Sequence, residues 1–143
     1  MIQRVIVLDA NILIRAVLGE RVRQLIMDHA AEVRFFAPDT AYAEAREHLP
    51  SLLAKRGVSG DAALTTLDAL EAVVRSIDPE MYLPLKAQAL ARIGDRDPDD
   101  WSALACALML GCPVWTEDVD FFGTGVATWT TSRVRLFLAS DVP

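Results

Sequence analysis

The sequence has little of what builds the commonest metal and disulfide sites. Two cysteines, Cys106 and Cys112, and two histidines, His29 and His48, are all that its 143 residues contain. A secreted disulfide framework needs more cysteines in a smaller chain. The two present stand in apolar surroundings, Ala105-Cys106-Ala107 and Gly111-Cys112-Pro113, and read as small buried hydrophobes. Neither histidine belongs to a metal-ligand motif, which argues against zinc. No apolar run approaches the length of a membrane span. The stretch Val5-Ile6-Val7-Leu8 is short and runs straight into Asp9, so it makes a poor signal peptide. A cytoplasmic protein with no membrane association is expected.

Positive charge is also scarce. Fourteen basic residues face twenty acids, for a net charge of −6. That argues against a broad basic surface for nucleic acid. It does not exclude a nuclease, because a carboxylate active site adds negative charge that divalent cations would partly remove. Only Lys55 and Lys86 are lysines; the other basic residues are arginines, which suit bidentate phosphate contacts.

Hydrophobic residues are plentiful at 52%, enough for a sizeable core, and the length suits one compact domain over residues 1–143. Val5 to Leu8 reads as a strand buried on both faces, followed by a short helix from about Asn11 to Val17 that Gly19 ends. Residues 20–31 carry a helical apolar face, and Val33-Arg34-Phe35-Phe36 a second strand. Pro38-Asp39-Thr40 opens a helix with Asp39 or Thr40 as its cap, and Pro50 should kink or restart it.

Residues 57–92 read as a mainly helical segment. Gly57 closes one helix and Ser59 caps the next, whose stripe runs through Leu64, Leu67, Leu70, Val73 and Val74. Ser76-Ile77 is a candidate short strand. Asp78-Pro79 starts a helix expected to reach Arg92 and stop at Gly94. Asp97-Pro98 repeats that start signal, for a helix through Trp101, Leu104 and Leu108 that Gly111 ends. Further strands fall at Pro113–Trp115 and Val126–Trp129, with a last helix from Thr131 to Ala139. Alternating strands and helices indicate an α/β fold with a largely parallel sheet and helices on both faces.

In such sheets ligands bind beyond the carboxyl ends of the strands. Asp9 follows the first strand, and Asp118 follows Val114-Trp115 closely. Glu44 lies about one turn into the helix after the second strand. Asp97, Asp99 and Asp100 open another helix, and Asp97 and Asp100 are spaced to share a face. Carboxylates converging without lysine partners repel one another, and a divalent cation relieves this. All-oxygen ligands suit Mg²⁺ or Mn²⁺. Such a centre can bind a phosphodiester and activate a water.

Each acid also has a plainer reading. Asp97 resembles a helix cap with Asp100 at the third position of a capping box, and Asp118 and Asp120 resemble dipole-favoured acids at a helix start. Glu44 taken alone reads as a solvated helix residue. Asp9 is the hardest to assign to packing. Trp101 and Trp115 read as core, although aromatics can stack on bases. Arg96 reads equally as a phosphate contact or a solvated charge.

The ordered set resembles the PIN-domain family, which includes VapC-like toxins of toxin–antitoxin pairs. Val7-Leu8-Asp9-Ala10-Asn11-Ile12-Leu13 is similar to its first motif, and Ala43-Glu44-Ala45 to the helix bearing its glutamate. Asp97 to Ala105 is similar to the third acidic motif, and Val114 to Phe121 to the fourth. The resemblance implies a three-layer α/β/α fold and Mg²⁺- or Mn²⁺-dependent cleavage of RNA. It makes Asp9, Glu44, Asp100 and Asp118 the metal-binding and catalytic acids, with Asp97 and Asp120 as additional or substitute ligands. It also implies homodimers in many members and, for toxins, an antitoxin that blocks the acidic site. Two rival readings remain. A phosphohydrolase using Asp9 as nucleophile would need an acid two residues on, where Asn11 stands. A catalytically inactive PIN-like scaffold that binds RNA or protein would have no use for repelling carboxylates.

Overall fold

A computed structural model describes residues 3–94 and 100–139. Its centre is a five-stranded sheet in the order β3-β2-β1-β4-β5, parallel throughout. The strands are β1 (Arg4–Leu8), β2 (Val33–Pro38), β3 (Val74–Ile77), β4 (Val114–Trp115) and β5 (Thr128–Trp129). Side chains alternate across a strand, and β1 shows it. Ile6 and Leu8 enter one core layer with residues of α1 (Ala10–Leu18), α2 (Glu20–His29), α3 (Asp39–Ala54), α4 (Gly60–Leu70) and α8 (Val134–Leu138). Val7 enters the opposite layer, with residues of α5 (Pro79–Tyr82), α6 (Lys86–Ile93) and α7 (Trp101–Leu110). The fold is therefore the expected three-layer α/β/α arrangement. No helix among the described residues is long and apolar enough to cross a membrane.

Helix α7 has no polar stripe. Six consecutive residues, Ser102 to Ala107, are buried, as befits a helix apolar on nearly every side. Gly111 ends it in the left-handed conformation, at φ 64°, where a side chain would be strained.

Several local expectations need correction. Asp39 and Thr40 do not cap α3; Pro38 holds that position, and the Asp39 carboxylate instead accepts from the Tyr82 hydroxyl at 2.5 Å. Pro50 does not restart α3, which runs from Asp39 to Ala54 with the proline inside it. The stripe assigned through Val73 and Val74 ends sooner, because α4 stops at Leu70 and Val74 begins β3 against Phe35 of β2. The helix expected from Asp78 to Arg92 is interrupted by a 3-10 turn at Leu83–Leu85. Pro84 explains it, since proline donates no backbone hydrogen bond and clashes with the preceding turn. The Asp97-Pro98 start, with Asp99 and Arg96, lies outside the described residues.

The order of strands sets the site. Chain progress runs from β1 to β2 and β3 on one side, then crosses to β4 and β5 on the other. The β1–β4 junction is thus the topological switch point, where the strand ends leave a crevice.

Candidate metal centre

Asp9 is the first residue beyond β1 at that junction, and its backbone N–H reaches the Trp115 carbonyl of β4 at 3.4 Å. Its side chain does structural work that the sequence did not suggest. Oδ1 accepts from the Ile12 N–H at 3.1 Å, so Asp9 is the N-cap of α1. Oδ2 accepts from the Thr116 hydroxyl. The residue is only 5% exposed.

Burial pushes the Asp9 carboxyl up to about 6. The bonds from Thr116 and Ile12 pull the other way, while the charges of Asp118 and Glu44 push it up further. The two acids delivered by other elements are thus felt at Asp9 as charges.

Asp9, Glu44 and Asp100 line one cavity of about 190 Å³, with Thr40 and Ser102, and among the described residues none that lines it is basic. Glu44 projects from α3 and is exposed; its carboxylate stands 4.0 Å from His48 Nε2, a partner only when that imidazole is protonated. Asp100 is half-buried at the N-cap position of α7 and makes no side-chain cap bond to that helix; the capping-box reading turns on Asp97, outside the described residues. The Thr40 and Ser102 hydroxyls are joined at 2.8 Å, tying α3 to α7 beside the acids.

Asp118 does not line the cavity. It is tied to it through Thr116, whose hydroxyl oxygen accepts from the Asp118 N–H at 2.9 Å while donating to Asp9. The Asp118 carboxylate accepts from the Asp120 N–H at 2.9 Å and starts a 3-10 turn at Val119–Phe121. Asp120 lies within that turn, away from the cavity lining. Asp97 lies outside the described residues.

Thr116 is the residue that sequence reasoning passed over. It is buried and connects two of the acids. Its signal, a hydroxyl just past the end of a strand, acquires meaning only once β4 is known to lie beside β1. Glu117 takes no part in the acid cavity. It accepts from the Thr131 N–H at 2.7 Å and lies 4.0 Å from Arg15. Burial raises its pKa, but those hydrogen bonds and the Arg15 charge outweigh burial and hold it below the ordinary carboxylate value.

The tryptophans follow expectation in part. Trp115 is fully buried and donates to the Thr131 hydroxyl at 3.1 Å. Trp101 is half-buried against Tyr82, with the Lys86 ammonium 4.9 Å from its ring centre. Burial pushes both cysteine thiols up to about 12, as inert buried thiols require.

The donor chemistry fits a hard divalent cation. Asp9 is buried among acidic charges, and among the described residues its cavity has no cationic side chain and every side-chain donor is oxygen. Among the described residues, no three such side chains already stand close enough together to enclose an ion. Mg²⁺ does not require a full protein cage, since it is commonly held by one or two carboxylates and water.

Comparison with known proteins gives the same fold. A PIN-domain family model matches residues 7–139. A chain of VapBC2 from Rickettsia felis, solved bound to a DNA fragment from their promoter, superposes with a TM-score of 0.63 at 14% identity. The match covers 88% of this chain and 98% of that one. A chain of VapBC-1 from nontypeable Haemophilus influenzae superposes with a TM-score of 0.59 at 20% identity, covering 90% and 99%. No curated protein matches the chain significantly.

Proposed function

The chain belongs to the PIN-domain family, and from that premise we propose that it is a ribonuclease that hydrolyses RNA phosphodiester bonds with Mg²⁺ or Mn²⁺. The observation that carries this reading is the buried Asp9 carboxyl, raised by desolvation and by two neighbouring acids, in a cavity it shares with Glu44 and Asp100.

Asp9 and Asp100 would hold the cation, with Glu44 and Asp118 completing the acidic surround and Asp97 and Asp120 as further donors. A bound Mg²⁺ or Mn²⁺ supplies a more acidic water and positive charge against the phosphodiester oxygens. The chain's part is orientation. Thr116 and the first turn of α1 hold both Asp9 oxygens in place, leaving their outer lone pairs for a ligand. The Thr116 hydroxyl also fixes the start of the loop carrying Asp118. Glu44, exposed at the cavity edge, is placed to accept a proton from a water there.

The proposed setting is that of a VapC-like toxin: a cytoplasmic homodimer of one PIN-like unit spanning residues 1–143, inhibited by an antitoxin. The two similar VapBC structures support the antitoxin partner.

One observation favours a second reading. The absence of a three-ligand cluster among the described residues is what an inactive RNA- or protein-binding scaffold would show. Calorimetry with Mn²⁺, on the protein alone and with RNA, separates the two. The ribonuclease reading predicts saturable binding and metal-dependent cleavage that a chelator stops. No heat of binding at millimolar metal in either case supports the scaffold.

A further inference from the structure

A second cavity, of about 500 Å³, is lined in part by the loop after β4, whose first residue, Thr116, bonds Asp9 of the acid cavity. Its lining includes Arg15, Arg21, Arg56, Glu117, Thr131 and Ser132. Thr116 bonds Asp9, while its neighbour Glu117 lines this second cavity. Successive Cα atoms are about 3.8 Å apart, so one step of backbone separates the two. Helix α1 joins them as well: Asp9 caps its start and Arg15 lies on its sixth residue, about 9 Å further along the axis.

The charge of this cavity is opposite to that of the chain. Among the described residues three guanidinium groups line it against one carboxylate, on a protein of net charge −6. That carboxylate, Glu117, is already engaged by the Thr131 N–H at 2.7 Å, with Arg15 at 4.0 Å. Arg21 and Arg56 are exposed and make no ion pair among the described residues. Three guanidinium groups against one carboxylate already engaged favour an anionic occupant, and planar guanidinium groups match phosphate oxygens. The hydroxyls suit the same occupant. The Thr131 oxygen accepts from Trp115 Nε1 at 3.1 Å, so its own hydrogen remains a donor.

We propose that this cavity binds backbone phosphates of single-stranded RNA next to the bond cut at the acid centre, with Arg21 and Arg56 as phosphate contacts and Arg15 beside them. The inference rests on the ribonuclease reading and extends it from the scissile phosphate to its neighbours. Contacts of this kind carry no base information, so they weaken equally for all sequences when removed.

The test is fluorescence anisotropy with a labelled single-stranded oligoribonucleotide, in chelator so that nothing is cut, over a series of salt concentrations. Wild type is compared with Arg21→Gln/Arg56→Gln and with Arg21→Lys/Arg56→Lys, each checked for folding by circular dichroism. For single strands the logarithm of affinity falls with the logarithm of salt by about 0.7 per phosphate contact. The glutamine variant should therefore bind more weakly, with a slope shallower by roughly 1.4. The lysine variant, which keeps the charges, should retain most of the slope. Equal slopes and affinities for wild type and the glutamine variant overturn the phosphate site while the ribonuclease reading stands. A wild type that binds no RNA here, and cuts none when Mn²⁺ is supplied, overturns both.

Discussion

Asp9 carries two loads at once. It caps α1 through Ile12 and holds a carboxyl raised to about 6 by burial and by the charges of Asp118 and Glu44. In the metal-free protein this has a definite sign. Between about pH 4 and pH 6 the folded state keeps a proton that the unfolded chain has released, so stability falls as pH rises through that window. With the carboxyl raised to about 6, that contribution is on the order of 3 kcal/mol, lost once pH exceeds about 6. Denaturant midpoints measured in chelator should fall across that window for wild type, and the fall should be much smaller in Asp9→Asn. Added Mn²⁺ should raise the wild-type midpoint above about pH 6, where Asp9 is ionised, and should do little for Asp9→Asn. Identical pH profiles for the two proteins would contradict the electrostatic account of this site. Thr116 gives a separate test, since it orients Asp9 and the Asp118 loop without an ionisable group of its own. Thr116→Val should lower Mn²⁺ affinity by about 10- to 100-fold in a calorimetric titration, and Thr116→Ser should recover most of it. A valine variant with wild-type metal affinity would remove Thr116 from the site.

At the scale of elements, the edge strand β3 pairs with β2 and is also tethered to α3 by a buried bond. The Tyr42 hydroxyl of α3 donates to the Val74 carbonyl, and Tyr42 is 1% exposed. Tyr42→Phe keeps the ring and removes the donor, leaving a buried carbonyl short of a partner, at a cost of about 1–3 kcal/mol. Equilibrium denaturation should show that loss, and hydrogen exchange should place it in Val74–Ile77; an unchanged midpoint would mean the bond adds nothing net. This tether also marks where the sequence stops being legible. Helix starts and glycine stops are local signals, and Ser59, Gly19 and Gly111 stand where those signals put them. The change from helix to strand near Val73 and Val74 is not local. Both residues continue the apolar spacing of α4, and only pairing with β2 makes Val74 a strand residue. Asp39 similarly looks like a cap until Tyr82, 43 positions away, takes its carboxylate. The site divides along the same line. Asp9 and Asp118 are visible as acids at strand ends, and Asp100 as an acid at a helix start. The Asp9 cap and the Thr116 link depend on how β1, β4 and α1 meet, which no spacing encodes.

At the scale of the whole molecule, the parallel sheet and its switch point gather chemistry from distant parts of the chain. Asp9 follows β1, Glu44 sits in α3, Asp100 opens α7 and Thr116 follows β4, yet all converge on one crevice. An acidic cavity and a basic one are linked through the loop after β4, where Thr116 bonds Asp9 and Glu117 lines the basic cavity. A nuclease needs both, one to hold the cation and one to hold the polymer. The central claim, that the acid cavity cuts RNA with a divalent metal, is tested most directly by one comparison. Cleavage of a labelled RNA in Mg²⁺ or Mn²⁺ is measured for wild type, Asp9→Asn and Asp100→Asn, each shown to be folded. The account predicts metal-dependent cleavage by wild type and a rate lower by about 100-fold or more in each variant, beyond the loss typical of outer-shell changes. Variants that are folded and cut as fast as wild type would contradict it.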